Sequence, residues 1–408
     1  MFEKINGGVT AAKGFKAAVT AAGIKYKGRT DMAMVVSEVP CIAAGTFTSN
    51  VVKAACVKWD KKLVEEAAPV SAVVVNSGIA NACTGEEGFE ACRQTAQAVN
   101  EVLGIPENGV AVASTGVIGM QLPVDKLKSG VKDMAPKLNE STEAGTEASK
   151  AIMTTDTVNK EIAVSFEIKG KKVTLGGMCK GSGMIHPNMC TMLAFLTTDL
   201  KISRELLTKA VRSAVDDSFN MITVDGDTST NDTFMVLANG LAENEEIVSE
   251  GKDYDTFYEA LFFVCRSLAR IMASDGEGAT KLFTAHVRGA KSREDARKLS
   301  KSIVGSNLSK AAVFGCDANF GRFLCAMGYS GAQFDEKDVE LYFESKKGRL
   351  KVFEHGVPLP FDEDKALEIL KCSEVTVLAD MNEGDASAEA FGCDLTYDYV
   401  KINADYRS

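Results

Sequence analysis

Residues 180–199 read KGSGMIHPNMCTMLAFLTTD. Gly181 and Gly183 enclose Ser182, so the backbone can bend sharply here and come close to another group. Pro187 fixes its own φ and keeps His186 out of the helical region. Polarity then stops, and MLAFL (192–196) runs on as an apolar segment too short for an ordinary helix, which predicts a buried strand. Thr191 stands at the seam, preceded by Cys190. A tight turn that delivers one hydroxyl into a buried strand is a way of presenting a nucleophile. The same residues also suit a plain loop entering a core strand.

Working back from this stretch, the chain alternates strand and helix signals. Segments 32–38, 51–57 and 72–76 (AVVVN) are rich in small and β-branched residues and predict strands. The third runs into NSGIANACTGEEG (76–88), a polar turn of the sort that ends a buried strand. A helix follows from about Glu86 to Leu103, with Phe89, Cys92, Ala96, Val99 and Val102 on one face and Gly104 as its stop. VAVAS (110–114) is a further short strand leading to Thr115 and Gly116, where a hydroxyl and an uncrowded backbone N–H are suited to holding an oxyanion. Residues 123–152 read as exposed helix, and TTDT (154–157) leads into a hairpin in which Ile162, Val164, Phe166 and Ile168 alternate before a GKK turn.

Beyond the central stretch, 203–215 is an amphipathic helix. ITVDGDTSTND (222–232) places Asp225, Asp227 and Ser229 at calcium-loop spacing, but the sixth and twelfth positions are Thr230 and Val236 where Gly and Glu are needed, so a polar turn between strands is expected instead. A long helix to about Ala273 ends in SDGEGATK, with Glu277 between two glycines. From about Leu282 the units shorten: strand 282–288, helix 292–303, strand 311–315, the turn GCDANFGR (315–322), then helix and strands. These patterns predict a mixed α/β protein with a larger unit over 1–280 and a smaller C-terminal α+β domain over 281–408.

Forty-six basic against 56 acidic residues give a net charge of −10, which argues against a nucleic-acid surface. No run of apolar residues is long enough for a membrane span, and the lysine- and glycine-broken start lacks a signal-peptide core, so a cytoplasmic location is expected. The 11 cysteines include no C-x-x-C pair and predict small buried hydrophobes rather than a disulfide framework or a zinc site.

KGSGMIHPNMCTML resembles the self-cleaving segment of the ornithine acetyltransferase family, the glutamate N-acetyltransferases of arginine biosynthesis. GVTAAKGFKAA, NSGIANACTG, VASTGVIG, IMTTDT, ITVDGDTSTNDT, DGEGATK and NADYRS resemble the same family in the same order, so the resemblance spans nearly the whole chain. It implies self-cleavage between Cys190 and Thr191 into fragments 1–190 and 191–408, with Thr191 as an N-terminal nucleophile. It further implies Thr115 and Gly116 as the oxyanion hole, and Thr154, Lys180, Thr191, Glu277, Asn403 and Ser408 as substrate-binding residues. Cys190 replaces the family's usual alanine, and Ser182 stands where alanine is commoner.

The implied reaction moves acetyl from N-acetylornithine to glutamate by an acetyl-enzyme, with no metal or other cofactor; some family members also use acetyl-coenzyme A. The implied assembly is a heterotetramer of two copies of each fragment. Two other readings fit the residues less well. A self-processed amidase or aminopeptidase would use water as acceptor, and a phosphate-binding module would need a glycine-rich phosphate loop that residues 176–186 do not supply.

Overall fold

A computed structural model describes residues 2–186 and 192–405. The chain is a mixed α/β protein that divides into two compact units. The first comprises Met1–Gly181, Pro187–Asn220 and Thr228–Leu268; the second comprises Ser182–His186, Met221–Asp227 and Ala269–Ser408. The second unit is therefore drawn from three stretches of chain, two of which come well before residue 281.

The strands of the first unit are β1 (Phe2–Ile5), β2 (Phe15–Thr20), β3 (Met32–Phe47), β4 (Val70–Ile79), β5 (Val110–Val117), β6 (Lys160–Ile168), β7 (Lys171–Lys180), β8 (Leu193–Thr198) and β9 (Thr233–Ala238). Its helices are α1 (Ala55–Glu65), α2 (Gly85–Leu103), α3 (Val124–Met134), α4 (Thr142–Ala151), α5 (Arg204–Asp216) and α6 (Lys252–Ser274), the last continuing past Leu268. The sheet runs β1-β6-β7-β8-β9-β3-β4-β5, with β2 beside β3.

The 16-residue strand β3 joins the two halves of this sheet. Its first part, Met32 to Ser37, pairs with β2, and with β4 up to Val36 and again at Cys41; its last part, Ile42–Phe47, pairs with β9. Between them the register slips, around Pro40, which has no N–H to give a ladder. In the β2–β5 half, alternate residues face opposite cores. Ala33, Val35, Val73, Val75, Ala111 and Ala113 face one cluster with α4, while Met32, Met34, Ala72, Val74, Val110 and Val112 face another with α1, α2 and α3. Burial on both faces explains why these strands read as unbroken apolar runs rather than as alternations.

The second unit has strands β10 (Leu282–Ala290), β11 (Glu340–Ser345), β12 (Gly348–Glu354), β13 (Val357–Pro358), β14 (Glu374–Asp380) and β15 (Ala386–Cys393), in the order β13-β12-β11-β14-β10-β15. Its helices are α7 (Arg293–Gly305), α8 (Asn307–Gly315), α9 (Phe320–Gly328), α10 (Glu363–Leu370) and α11 (Tyr397–Ala404). Phe323 lies edge-on to both Phe283 and Phe343, at 6.0 and 5.4 Å between ring centroids, and ties α9 to the sheet.

Two expected strands are helices or helix approaches. Residues 51–57 run into α1: Val51 and Val52 are exposed, while Cys56, Val57, Asp60 and Leu63 fall on one buried helical face. Residues 311–315 lie inside α8, which starts with the Ser306 hydroxyl accepting the Ser309 N–H. A serine cap and two alanines outweigh the β preference of Val313 and Phe314. Elsewhere the sheet tolerates no added side chain where Gly8 crosses β7: a Cβ on Gly176 would sit 1.9 Å from the Gly8 carbonyl oxygen. Gly176→Ala is expected to cost about 1–3 kcal/mol of stability through overpacking, measured by urea unfolding.

Candidate active site

Strands β4 and β5 run parallel, and their ends pair Ser77 with Thr115 and Gly78 with Gly116. Gly116 has φ +131°, and a Cβ there would lie 2.3 Å from the carbonyl carbon of Gly78. The strand ends can thus approach this closely only because Gly116 has no side chain. Asn76 braces the same turn: its side-chain amide donates to the Ile79 carbonyl (3.0 Å), and the Ser114 hydroxyl donates to its Oδ1 (2.7 Å). Asn231 adds a second brace by donating to the Ser114 carbonyl (2.8 Å).

Lys180 ends β7, is buried, and reaches this turn. Its ammonium donates to Thr154 Oγ1 (2.8 Å) and to Thr115 Oγ1 (3.3 Å). With a lone pair of Thr115 held by Lys180, the hydroxyl proton of Thr115 is left to donate elsewhere. Three residues chosen from separate segments of sequence, Thr115, Thr154 and Lys180, therefore meet at one point, with Gly116 next in the chain.

A residue not singled out by the sequence organises the cluster. Asp156 is buried; its Oδ1 accepts from Lys160 Nζ and from the Gly181 N–H, both at 2.7 Å, and its Oδ2 accepts from the Thr154 N–H (3.0 Å) and lies 3.8 Å from Lys180 Nζ. Burial pushes its pKa up, but Lys180 and Lys160, with these hydrogen bonds, outweigh burial and hold the carboxyl at about 2. The signal was present in TTDTVNK, where an acid stands four residues before a lysine, but that spacing normally marks an exposed pair. Here both side chains are wholly buried.

The second unit holds another group. Glu277 is buried and accepts from the side-chain amide of Asn403 on α11 (2.7 Å), while its N–H donates to the Ser182 carbonyl (2.8 Å). A Cβ on Gly183 would lie 2.3 Å from this carboxylate, which accounts for the glycine. Asp225 accepts the N–H groups of Met184 (2.6 Å) and Ile185 (2.9 Å) and the hydroxyl of Tyr399 (3.2 Å). The aspartate that failed as a calcium ligand therefore anchors the central stretch. His186 shares a 3.0 Å hydrogen bond with Thr223; burial, assisted by the charge of Lys301, lowers its pKa to about 4, so the ring is neutral.

Of the expected site residues, Thr115, Gly116, Thr154 and Lys180 are thus gathered in the first unit, and Glu277 and Asn403 pair in the second. Cys190, Thr191 and Ser408 lie outside the described residues. Among the described residues, no group of three or more His, Cys, Asp or Glu side chains is arranged to hold a metal ion, and no helix is long and apolar enough to cross a membrane.

Residues 16–408 match the model of the ArgJ family. The chain is 52% identical over 408 residues to the arginine biosynthesis bifunctional protein ArgJ of Symbiobacterium thermophilum, covering the whole of both proteins. It is 46% identical over 406 residues to the protein of that name from Bacillus subtilis, covering 99% of this chain and 98% of the relative. A solved structure of ornithine acetyltransferase complexed with ornithine, from Mycobacterium tuberculosis, matches at 42% identity and TM-score 0.43, covering 47% of this chain and 100% of that one.

The Asp156 cluster carries a stability prediction. Its folded pKa of about 2 lies below the ordinary 3.8, so it contributes stability above pH 3.8 that is lost as the pH falls toward 2. Asp156→Asn should remove that acid limb and cost about 3–5 kcal/mol at neutral pH, because Lys160 is left buried without its counter-charge. Urea unfolding as a function of pH measures both.

Proposed function

The chain belongs to the ArgJ family, and from that premise we propose that it is an ornithine acetyltransferase of arginine biosynthesis that moves acetyl from N-acetylornithine to glutamate. The observation that carries this reading within the fold is the Lys180–Thr115–Thr154 cluster at the end of β5, where a polarised hydroxyl sits beside a glycine with no room for a side chain. Such a pair can hold the oxyanion of an acyl transfer. Thr191 is the proposed nucleophile and the Cys190–Thr191 bond the proposed cut; both roles rest on the sequence and on family membership.

Once the chain is cut, Thr191 carries its own base, an α-amine with an ordinary pKa of roughly 7.7–8.0. The neutral amine takes the proton of Oγ as Oγ attacks the acetyl carbonyl of N-acetylornithine. The amine then returns a proton to the departing nitrogen, and ornithine leaves an acetyl ester on Thr191. The α-amine of glutamate attacks that ester in the second half-reaction. Thr115 and Gly116 face the oxyanion in both halves, Thr154 and Lys180 position it, and Glu277 with Asn403 offers a carboxylate for a substrate ammonium. Ser408 is a further proposed substrate contact. No metal or organic cofactor enters these steps. The same acetyl-enzyme made from acetyl-coenzyme A would give a second activity. The mature assembly is proposed to be a cytoplasmic heterotetramer of two 1–190 and two 191–408 fragments.

Purified protein should run as two fragments on a denaturing gel, and N-terminal sequencing of the second should begin Thr-Met-Leu-Ala-Phe. Thr191→Ala should leave one intact chain with no transfer activity, and labelled acetyl should lodge on Thr191 in the cut enzyme. A fully active uncut chain, or acetyl product that goes to water as readily with glutamate as without it, overturns the proposal. Thr115→Val should lower kcat by about 10²–10³-fold while leaving folding intact.

A further inference from the structure

Lys160 opens β6 and is wholly buried, a place where a lysine is found only when it is paired. Its register partner on β7 is the buried Cys179, next in sequence to Lys180. Its ammonium donates to Asp156 Oδ1 (2.7 Å) and to the Val158 carbonyl (3.2 Å). The Asp156 carboxylate is thus met at close range by Lys160 and by the N–H groups of Gly181 and Thr154, while Lys180 stands off at 3.8 Å. A lysine in full contact with a carboxylate closes to about 2.7–2.9 Å. Lys180 instead sits nearer to the hydroxyls of Thr154 (2.8 Å) and Thr115 (3.3 Å) than to the acid. One further acid feels the charge of Lys180, namely Asp232, which is 1% exposed and has a carboxyl Oδ2 without a hydrogen-bond partner among the described residues. Burial raises its pKa well above the usual range and so disfavours a second negative charge in the field of Lys180.

We propose that Lys160 is a positioning residue of the acyl transfer: by taking the Asp156 carboxylate for itself, it leaves the Lys180 ammonium to the hydroxyls of Thr115 and Thr154. The proposal rests on the acetyltransferase reading above. Lys160 touches neither hydroxyl and acts only through the acid it shares with Lys180. Without its charge, Asp156 would have to draw on Lys180, and the ammonium would close on Oδ2. Thr115 would then lose the donor that occupies its lone pair, and its proton would no longer be aimed at an oxyanion. Removing both charges of the Asp156–Lys160 pair has the opposite effect. An amide at 156 still accepts the Gly181 N–H, nothing pulls on Lys180, and the ammonium stays with the hydroxyls.

The test measures kcat and KM for acetyl transfer from N-acetylornithine to glutamate, per cut chain, in wild type, K160M, D156N/K160M and K180M. K160M keeps the length of the side chain and removes its charge, and it should lower kcat at least about tenfold. Adding D156N to K160M should then raise kcat at least about threefold above K160M alone. A lysine that served only to hold the fold predicts the reverse, because D156N weakens the hold on the loop before β6 and would deepen the loss. K160M with wild-type kcat overturns the proposal, as does a D156N/K160M enzyme no faster than K160M. If K160M does not fold or is not cut, the double variant decides by comparison with K180M. A kcat at least about tenfold above K180M supports the proposal. A double variant that is unfolded, uncut or as slow as K180M overturns it. Wild type that moves no acetyl to glutamate would instead sink the acetyltransferase reading.

Discussion

One buried carboxylate holds the first unit's site together. Asp156 binds Lys160, Lys180, the Gly181 N–H and the Thr154 N–H, so it fixes the last residue of β7, the first of β6 and the loop before β6 relative to one another. Two ammonium groups around one carboxylate leave a net positive charge, and part of the Lys180 charge is directed toward Thr115 and Thr154 rather than neutralised. Taking three charges out of water is expensive, and a buried ion pair is rarely the most stable solution for a core. Its presence at this place is better explained by what it positions. Lys180 is held where it can polarise a hydroxyl, and the cost is spread over hydrogen bonds that also define the loop.

The arrangement of the central stretch follows the same logic. Residues up to Gly181 belong to the first unit, Ser182–His186 belong to the second, and the strand after Met192 returns to the first. Within the second unit the stretch is gripped by Asp225 through two N–H groups and by the Glu277 N–H through the Ser182 carbonyl, and His186 is held by Thr223. Met184, a non-glycine residue at φ +55°, carries the backbone strain between these holds. Residues 182–186 are thus fixed by backbone hydrogen bonds and by the His186–Thr223 contact.

Much of this was legible in the sequence. The β-branched runs of β4 and β5, the amphipathic pattern of α2 with Gly104 as its left-handed stop, and the β6–β7 hairpin are local signals, and they appear where expected. Thr115 was legible as a candidate oxyanion donor from its place beside Gly116, but Thr154 and Lys180 only through the family resemblance, since nothing in three separate segments indicates that their side chains meet. Asp156 and Asp225 were missed because their roles come from burial and from backbone partners far along the chain, and a sequence shows neither. The helix α8 was missed for the opposite reason: a capping serine and the tether from Lys310 to the Cys393 carbonyl override the β preference of a short apolar run.

Asp156 and Asp232 show how one unit sets two buried carboxyls differently. Both are buried and both feel Lys180, yet burial wins at one and loses at the other. Asp156 has two lysines within 4 Å and two backbone N–H donors on its oxygens, so the charged form is the better solvated one. Asp232 meets only hydroxyls and one N–H, with an oxygen left unpartnered, so burial raises its pKa well above the usual carboxylate range. The state of Asp156 matters to the cluster around it. A neutral Asp156 would leave two buried ammonium groups without their counter-charge and release the hold on Lys180. The fold thus keeps a negative charge where two lysines surround it and disfavours one where only hydroxyls and a single N–H are at hand.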